Sequence, residues 1–294
     1  MAVQDEVKRS RIILTVFCVV FLSVVGYLNH RTEAFVFHPF FGSDDADLKV
    51  MTWNVHCPEG AEPDRQRKIA EAVLEEDADF VLLNEYYQNS CAVIDAMLKQ
   101  RYPYTEEYQS HQKVGDIFYS KQRMSNSGHV WITEVGKSIQ TIKATIAAGR
   151  DSVQIFGVHM AGNNKSETAV YDSLDTEESM VVRYKGRQAS REFQASWTVK
   201  HVTDSRFPVI VMGDMNDFNF SSPLTTFYDA GLVNCWTEGG FGFGNTFHSG
   251  WMHLRIDHIL HSDGLRLTDI RVINTGNLSD HRPVVSSFKI DNNL

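Results

Sequence analysis

Eight polar residues stand where apolar runs of the chain stop: Asn54, Glu85, His159, Asp214, Asn216, Asp257, Asp280 and His281. The plainest case is Val209-Ile-Val-Met212, a run with strand composition that Gly213 breaks just before Asp214 and Asn216. Alternate side chains of an extended backbone point the same way, so Asp214 and Asn216 can aim a carboxylate and an amide at one point. Taken alone, such a turn is ordinary, since Gly, Asp and Asn all favour turns. Eight residues of metal-ligand or acid–base type, spread over six segments, are harder to assign to turns. An oxygen-rich set suits Mg²⁺ or Mn²⁺, whereas zinc or copper would call for more His or Cys. Carboxylates for a hard cation, two histidines and an Asp/Asn pair meet the needs of phosphoryl-group hydrolysis. The cation offsets phosphate charge, a carboxylate activates water, and an imidazolium stabilises the charge that develops.

The elements that must hold these residues can be read from apolar periodicity. Strands are expected at 48–55, 79–85, 116–119, 129–135, 138–147 and 152–159, then at 209–212, 255–260, 265–273 and 284–290. Several follow one another without intervening helices, which implies antiparallel pairing. Helices are expected over 64–76, where Ile69 and Val73 share a face, over 92–100, and over 186–202, where Phe193 and Trp197 are four apart. Ser222-Pro223 has the form of a helix start. Residues 160–186 look polar and irregular, and the glycine-aromatic stretch 239–244 looks like a flexible rim. The 294 residues, 43% of them hydrophobic, suffice for one large α/β domain.

Ahead of this domain lies Ile12–Leu28, an uncharged apolar run preceded by Lys8, Arg9 and Arg11. Its length is at the short end of what spans a bilayer, and the basic flank puts the N-terminus in the cytoplasm and the rest outside it. The rival is a secretory signal peptide, but Thr32-Glu-Ala34 is a poor cleavage site. The expected organisation is a cytoplasmic N-terminus (1–11), a transmembrane anchor (12–28), a juxtamembrane linker (29–47) and a globular domain (48–294). A net charge of −9 and a pI near 5.7 make a poor general binder of polyanions. Lys165, Arg183, Lys185 and Arg187 could form a local basic rim beside His159, but acidic residues interrupt them. Cys18, Cys57, Cys91 and Cys235 show no CxxC spacing and no disulfide framework. Oligomeric state is not legible.

Signatures of other chemistries are missing. Gly136-Lys-Ser138 lacks the upstream glycine of a phosphate-binding loop, and neither HExxH nor GxSxG occurs. What does occur, in order, is Thr52-Trp-Asn54-Val, Asn84-Glu85, Val158-His159-Met, Gly213-Asp-Met-Asn216, Arg255-Ile-Asp257-His and Ser279-Asp-His281-Arg-Pro. This series resembles the endonuclease/exonuclease/phosphatase superfamily over 48–290, and most resembles its membrane-anchored bacterial members.

The resemblance implies a DNase I-like, four-layer αββα sandwich of two mostly antiparallel sheets. It implies Glu85 as the main metal ligand, with Asn54 beside it and Asp280 completing the metal site or sitting just outside it. Asp214 would deprotonate the attacking water and Asn216 would hold that water or the phosphate. His159 would contact the phosphate and be oriented by Asp257, and His281 would donate to a phosphate oxygen. His56 stands where abasic-site nucleases of the family place Asp, and Asn84 stands where Gln is usual. The expected function is therefore an anchored, extracytoplasmic, Mg²⁺- or Mn²⁺-dependent phosphoesterase acting on a small or lipid-linked phosphate ester. A DNA or RNA nuclease and a catalytically inactive binding module are the alternatives.

Overall fold

The computed structural model describes residues 2–39, 42–43, 45–57, 60–87, 90–109, 115–132, 137–148, 151–162 and 177–291. Two compact units divide the chain, Met1–Phe35 and Val36–Leu294. The first is one helix, α1 (Ala2–Thr32). Its segment Thr15–Thr32, with a mean hydropathy of 1.2, is the one stretch among the described residues long and apolar enough to cross a membrane. A signal sequence passes the same test.

The second unit runs through β1 (Val36–Phe37), β2 (Leu48–Cys57), α2 (Pro63–Glu76), β3 (Phe80–Tyr86), α3 (Ala92–Leu98), β4 (Tyr104–Gln109) and β5 (Gly115–Ser120). It continues through β6 (Ser125–Ile132), β7 (Lys137–Ala148), β8 (Asp151–His159), α4 (Glu177–Thr203), β9 (Val209–Asp214) and α5 (Ser222–Asp229). It ends with β10 (Val233–Asn234), α6 (Cys235–Gly239), β11 (Phe241–Gly242), β12 (Phe247–Ser249), β13 (Met252–Leu254), β14 (Asp257–His261), β15 (Leu265–Val272) and β16 (Val284–Ile290). One six-stranded sheet has the order β15-β16-β2-β3-β5-β4, the other β10-β14-β9-β8-β7-β6. Each is mixed, with one parallel pair, β2 with β3 and β8 with β9, among antiparallel ones. Two short two-stranded sheets, β1 with β11 and β12 with β13, complete the unit.

Strand alternation sorts side chains into layers. Val50, Phe80, Leu82 and Phe118 of the first sheet meet Ile155, Ile210, Met212 and Ile259 of the second in a core between the sheets. Odd-numbered neighbours such as Met51, Trp53, Val81 and Leu83 pack outward with Ile69 and Val73 of α2 and Ile94 and Leu98 of α3. On the far side, Phe156, Val158, Val209 and Val211 pack with Ala195 and Val202 of α4 and Leu224 and Phe227 of α5. Full burial of a Val, Leu, Ile, Met or Phe side chain contributes about 1.5–3 kcal/mol. The sheets approach closely at Gly157, where an added Cβ would lie 2.6 Å from the Phe118 ring and 3.1 Å from Leu82.

Several expectations are corrected here. The compact unit starts at Val36, because β1 pairs with β11, so part of the expected linker is folded. Helix α4 begins at Glu177, so 177–186 is helical rather than irregular. Its buried stripe is Arg187, Arg191, Ala195, Thr198 and Val202; Phe193 is exposed and rests on Trp197. Arg187 is thus inside the domain and not on a rim, while Lys165 and the side chains of Arg183 and Lys185 lie outside the described residues. The stretch 239–244 is no loose rim either: Gly240 and Gly244 press on the Trp236 ring, leaving no room for a Cβ at either. Strand β4 was not anticipated; Glu106 and Glu107 within it have no apolar alternation to announce a strand.

Candidate active site

The alternation that builds the inter-sheet core also builds the site. Continuing the inward-facing series Phe80, Leu82 along β3 gives Asn84; on β2 it gives Asn54, on β8 His159 after Gly157, and on β9 Asp214 after Met212. At the start of β5 it gives Asp116, two before Phe118, and at the start of β14 Asp257, two before Ile259. The site is the polar end of the core. All six of these side chains are buried.

Glu85 breaks the alternation, since by parity it belongs on the outer face. The β3 pairing shifts register between Leu83 and Tyr86, and Glu85 takes φ +52° there. Such a bulge re-aims a side chain, and it delivers Glu85 Oε1 to within 3.0 Å of Asn54 Nδ2. A parallel irregularity between Asn54 and Cys57 puts His56 at φ +38°, with its Nδ1 2.7 Å from Glu85 Oε2. At the end of β9, Gly213 has φ +141°, and an added Cβ would fall 2.0 Å from the Val158 carbonyl oxygen. Only glycine lets β9 close on β8 beside Asp214. Asn216, at φ +51°, donates its Nδ2 to the Met160 carbonyl at 3.0 Å and its backbone N–H to Asp214 Oδ1 at 2.9 Å.

Two histidine–carboxylate pairs cross between the sheets. His281, on the turn before β16, meets Asp257 of the opposite sheet, Nδ1 to Oδ2, at 2.8 Å, and its Nε2 is 3.8 Å from Asp214 Oδ2. His159 Nδ1 lies 3.4 Å from Asp116 Oδ1, an ion-pair contact rather than an aligned hydrogen bond, and its Nε2 lies 3.9 Å from Glu85 Oε1. This corrects the expectation that Asp257 orients His159: Asp257 belongs to His281, and His159 has Asp116. The Ser279 hydroxyl donates to the Asn54 carbonyl and accepts from the His281 N–H, while Trp53 Nε1 donates to the His281 carbonyl, fixing the turn.

The charges follow from these contacts. Burial opposes the charged form of His159, but Asp116, then Asp214 and Glu85, outweigh it and raise its pKa to about 10. Burial likewise opposes charge on His281, and Asp257 and Asp214 raise it to about 10. Burial, then the charge of Asp257, push Asp214 up to about 6 against the pull of both histidines. Glu85 is pushed up by burial, yet the His56 hydrogen bond, the charge of His159 and Asn54 hold it at about 2.

Glu85, His159 and Asp214 offer three ligand atoms within 4.8 Å of one another, as do Asp214, Asp257 and His281. The second group is taken up by the His281 pair, and the first contains the more accessible Glu85. Asn54 does not present an oxygen: its Oδ1 accepts the His56 N–H, and its Nδ2 donates to Glu85 and to Asp214 Oδ2, both at 3.0 Å. Asp280 is exposed and belongs to neither group, its Oδ1 lying 3.3 Å from Ser279 Oγ. The structure thus brings together Asn54, Glu85, His159, Asp214, Asn216, Asp257 and His281, and leaves Asp280 at the edge.

Sequence reasoning passed over Asp116, although its position two residues before Phe118 on one face was available. It gave no role to Asn84, which donates to Asp116 Oδ1 at 2.7 Å and accepts from the Asp214 N–H at 3.1 Å, tying the Asp116 carboxylate to the Asp214 backbone.

Two stacked, mixed sheets whose polar ends close on carboxylates and histidines define a DNase I-like hydrolase. Residues 51–281 match the Endonuclease/Exonuclease/phosphatase family, and the chain belongs to it. Members of that family are phosphoester hydrolases. No curated protein matches the sequence. Among solved structures, a humanised TDP2 of D. rerio is similar, with a TM-score of 0.64, 15% identity, and coverage of 82% of this chain and 98% of that one. An AP endonuclease from Archaeoglobus fulgidus has a TM-score of 0.62 at 16% identity, covering 83% of this chain and all of its own. The 3′ phosphatase NExo from Neisseria, bound to a product DNA hairpin, has a TM-score of 0.60 at 19% identity, with 82% and 99% covered.

Proposed function

We propose that this chain is a Mg²⁺- or Mn²⁺-dependent phosphodiesterase that cleaves a P–O bond by in-line attack of water. The observation that carries the reading is one buried cluster holding an ionised carboxylate, a carboxyl that titrates near neutrality and two imidazolium groups. Asp214, at about 6, is matched to taking a proton from water near neutral pH. Asn216, two residues on, would hold that water or the phosphate. His159 and His281, each charged by its own aspartate, donate to phosphate oxygens as negative charge builds on them. Glu85 is the residue that would hold the metal. It is ionised, partly accessible and rich in oxygen, which fits a cation that takes one or two carboxylates and keeps several waters. Bound there, the ion would supply electrostatic stabilisation of the phosphoryl oxygens. Asp280 and His56 would shape the outer edge of that site.

The proposed setting is a membrane. Residues 12–28 would span it, residues 1–11 would stay in the cytoplasm, and the catalytic unit would lie outside, in the manner of membrane-anchored bacterial members of the family. With a net charge of −9, a small or lipid-linked phosphodiester is favoured over duplex DNA. The likeness to an AP endonuclease and to a DNA-bound 3′ phosphatase supports a second reading, a nuclease. The full chain in detergent with Mg²⁺, offered bis-p-nitrophenyl phosphate, sphingomyelin, a phosphoinositide and plasmid DNA, separates them. Turnover of the esters that Asp214→Asn abolishes is the expected result. Preferential plasmid nicking would install the nuclease reading, and equal inactivity of wild type and variant would leave a binding module. A reporter fused after Leu294 that is active only in the cytoplasm would overturn the topology.

A further inference from the structure

Behind the site lie Arg191 of α4, Asp217 and His258, buried ionisable side chains that the proposed chemistry does not use. Arg191 is only 1% exposed. Its Nε donates to Asp217 Oδ2 at 2.9 Å and its Nη1 to the Ala161 carbonyl at 2.9 Å. Ala161 is two residues past His159, and Asp217 is one past Asn216. A single guanidinium therefore joins the segments that leave the two neighbouring parallel strands, β8 and β9, at their catalytic ends. One helical turn on, Gln194 Oε1 accepts the Ala161 N–H at 2.9 Å, so α4 grips the first of these segments twice.

Asp217 is held from the other side as well. Its second carboxylate oxygen accepts the Phe218 N–H at 2.9 Å, and its carbonyl lies 3.0 Å from His258 Nε2. Because that carbonyl can only accept, Nε2 carries the proton, and His258 Nδ1 then accepts from Asn234 Nδ2 at 3.1 Å. The same amide donates to Asn219 Oδ1 at 3.1 Å, and Tyr228 donates to that oxygen at 2.7 Å. The turn 214–219 is thereby fastened at both ends around Asn216, whose left-handed backbone is a conformation that persists only when its surroundings impose it.

A buried ion pair is poor evidence of stabilisation, since apolar residues of similar volume often serve as well. Its fork geometry is better suited to fixing direction. We propose that Arg191, through Asp217, is a positioning residue that sets the orientation of Asn216 relative to Asp214 and His159. The inference rests on the hydrolytic reading of those three residues, and it acts without Arg191 touching the reacting groups.

The test uses the full chain with Mn²⁺ and bis-p-nitrophenyl phosphate. Arg191→Met strands the Asp217 charge and lowers the melting temperature, so Arg191→Met/Asp217→Asn is made beside it. The double variant is expected to recover most of the lost melting temperature while kcat stays down by about tenfold or more and KM changes little, as misplacement of one group predicts. Arg191→Lys, which keeps the charge but cannot span both partners, is expected to fall between. Recovery of kcat together with melting temperature in the double variant would reduce the pair to a structural role and overturn the inference. Hydrogen exchange supplies a readout independent of chemistry. Amides of 214–219 are expected to exchange about tenfold faster in the double variant, with the β2–β3 amides unchanged. Unchanged exchange at 214–219 sinks the proposal even if the chain hydrolyses nothing, whereas Asp214→Asn equal to wild type sinks only the hydrolytic reading.

Discussion

Asp116→Asn is the sharpest probe of how the site is charged. The carboxylate lies 3.4 Å from His159 Nδ1 in a buried setting. At an effective dielectric constant of about 20, two unit charges at that separation attract by about 5 kcal/mol. At 1.36 kcal/mol per pH unit, this amounts to about three and a half pH units. Removing the charge should bring His159 from about 10 to roughly 6.5. Only about one His159 in thirty would then be imidazolium at pH 8, against nearly all in the wild type, while at pH 6 about three in four would be. The expected outcome is a variant within a few fold of wild type at pH 6 and roughly thirtyfold weaker at pH 8, because charge on His159 is what the proposed transition state uses. The assay is kcat/KM for bis-p-nitrophenyl phosphate between pH 5.5 and 9 with saturating Mg²⁺. Asn keeps an oxygen for the Asn84 hydrogen bond, so folding should survive. An alkaline limb that does not move, or a loss equal at every pH, would refute the argument that Asp116 keeps His159 charged.

Three further outcomes are expected. Glu85→Gln should weaken Mn²⁺ binding by at least about tenfold, read by calorimetry or by electron paramagnetic resonance, since it removes the one ionised, accessible carboxylate of the cluster; unchanged affinity would move the metal elsewhere. Gly157→Ala should lower stability by about 1–3 kcal/mol, and with it the melting temperature, because its methyl group has to displace Phe118 and Leu82 between the sheets; a variant as stable as wild type would show that the sheets can part without cost. Burial, then the charge of Arg255, lower His258 to about 4, whereas the unfolded chain binds that proton near 6.5. Stability from this group is therefore intact above pH 6.5 and lost as pH falls toward 4, by about 3 kcal/mol in full. Urea unfolding of wild type should show that acid loss and His258→Gln should lack it; parallel curves would contradict it.

The layout of the fold was legible because its signal is periodic. Val209–Met212, Phe80–Leu83 and the runs around Ile155 and Ile259 announce buried strands, and their ends mark Asp214, His159 and Asp257. Where conformation departs from periodicity, legibility stops. Nothing in Leu-Leu-Asn-Glu says that Glu85 adopts a left-handed backbone at a bulge, and parity alone would send it to the wrong face. The partners of the histidines depend on which sheet edge meets which, a non-local fact, so Asp257 was assigned to the wrong imidazole and Asp116 to none. The buried stripe of α4 is not legible for another reason. Phe193 and Trp197 have a helical spacing, but the buried face is taken by Arg187 and Arg191, the latter paired with Asp217 inside the domain.

Each histidine draws its aspartate from the opposite sheet, and the Asn54 amide likewise bonds Asp214 across the gap. Neither sheet carries the machinery by itself. A chain with one sheet formed, or with both formed but undocked, has its carboxylates and imidazoles in place along the strands and no centre. Catalytic competence would therefore emerge late and abruptly in folding. Nascent or partly unfolded chains would be silent toward phosphate esters, and the return of turnover after denaturation would time the docking of the two sheets rather than the formation of either.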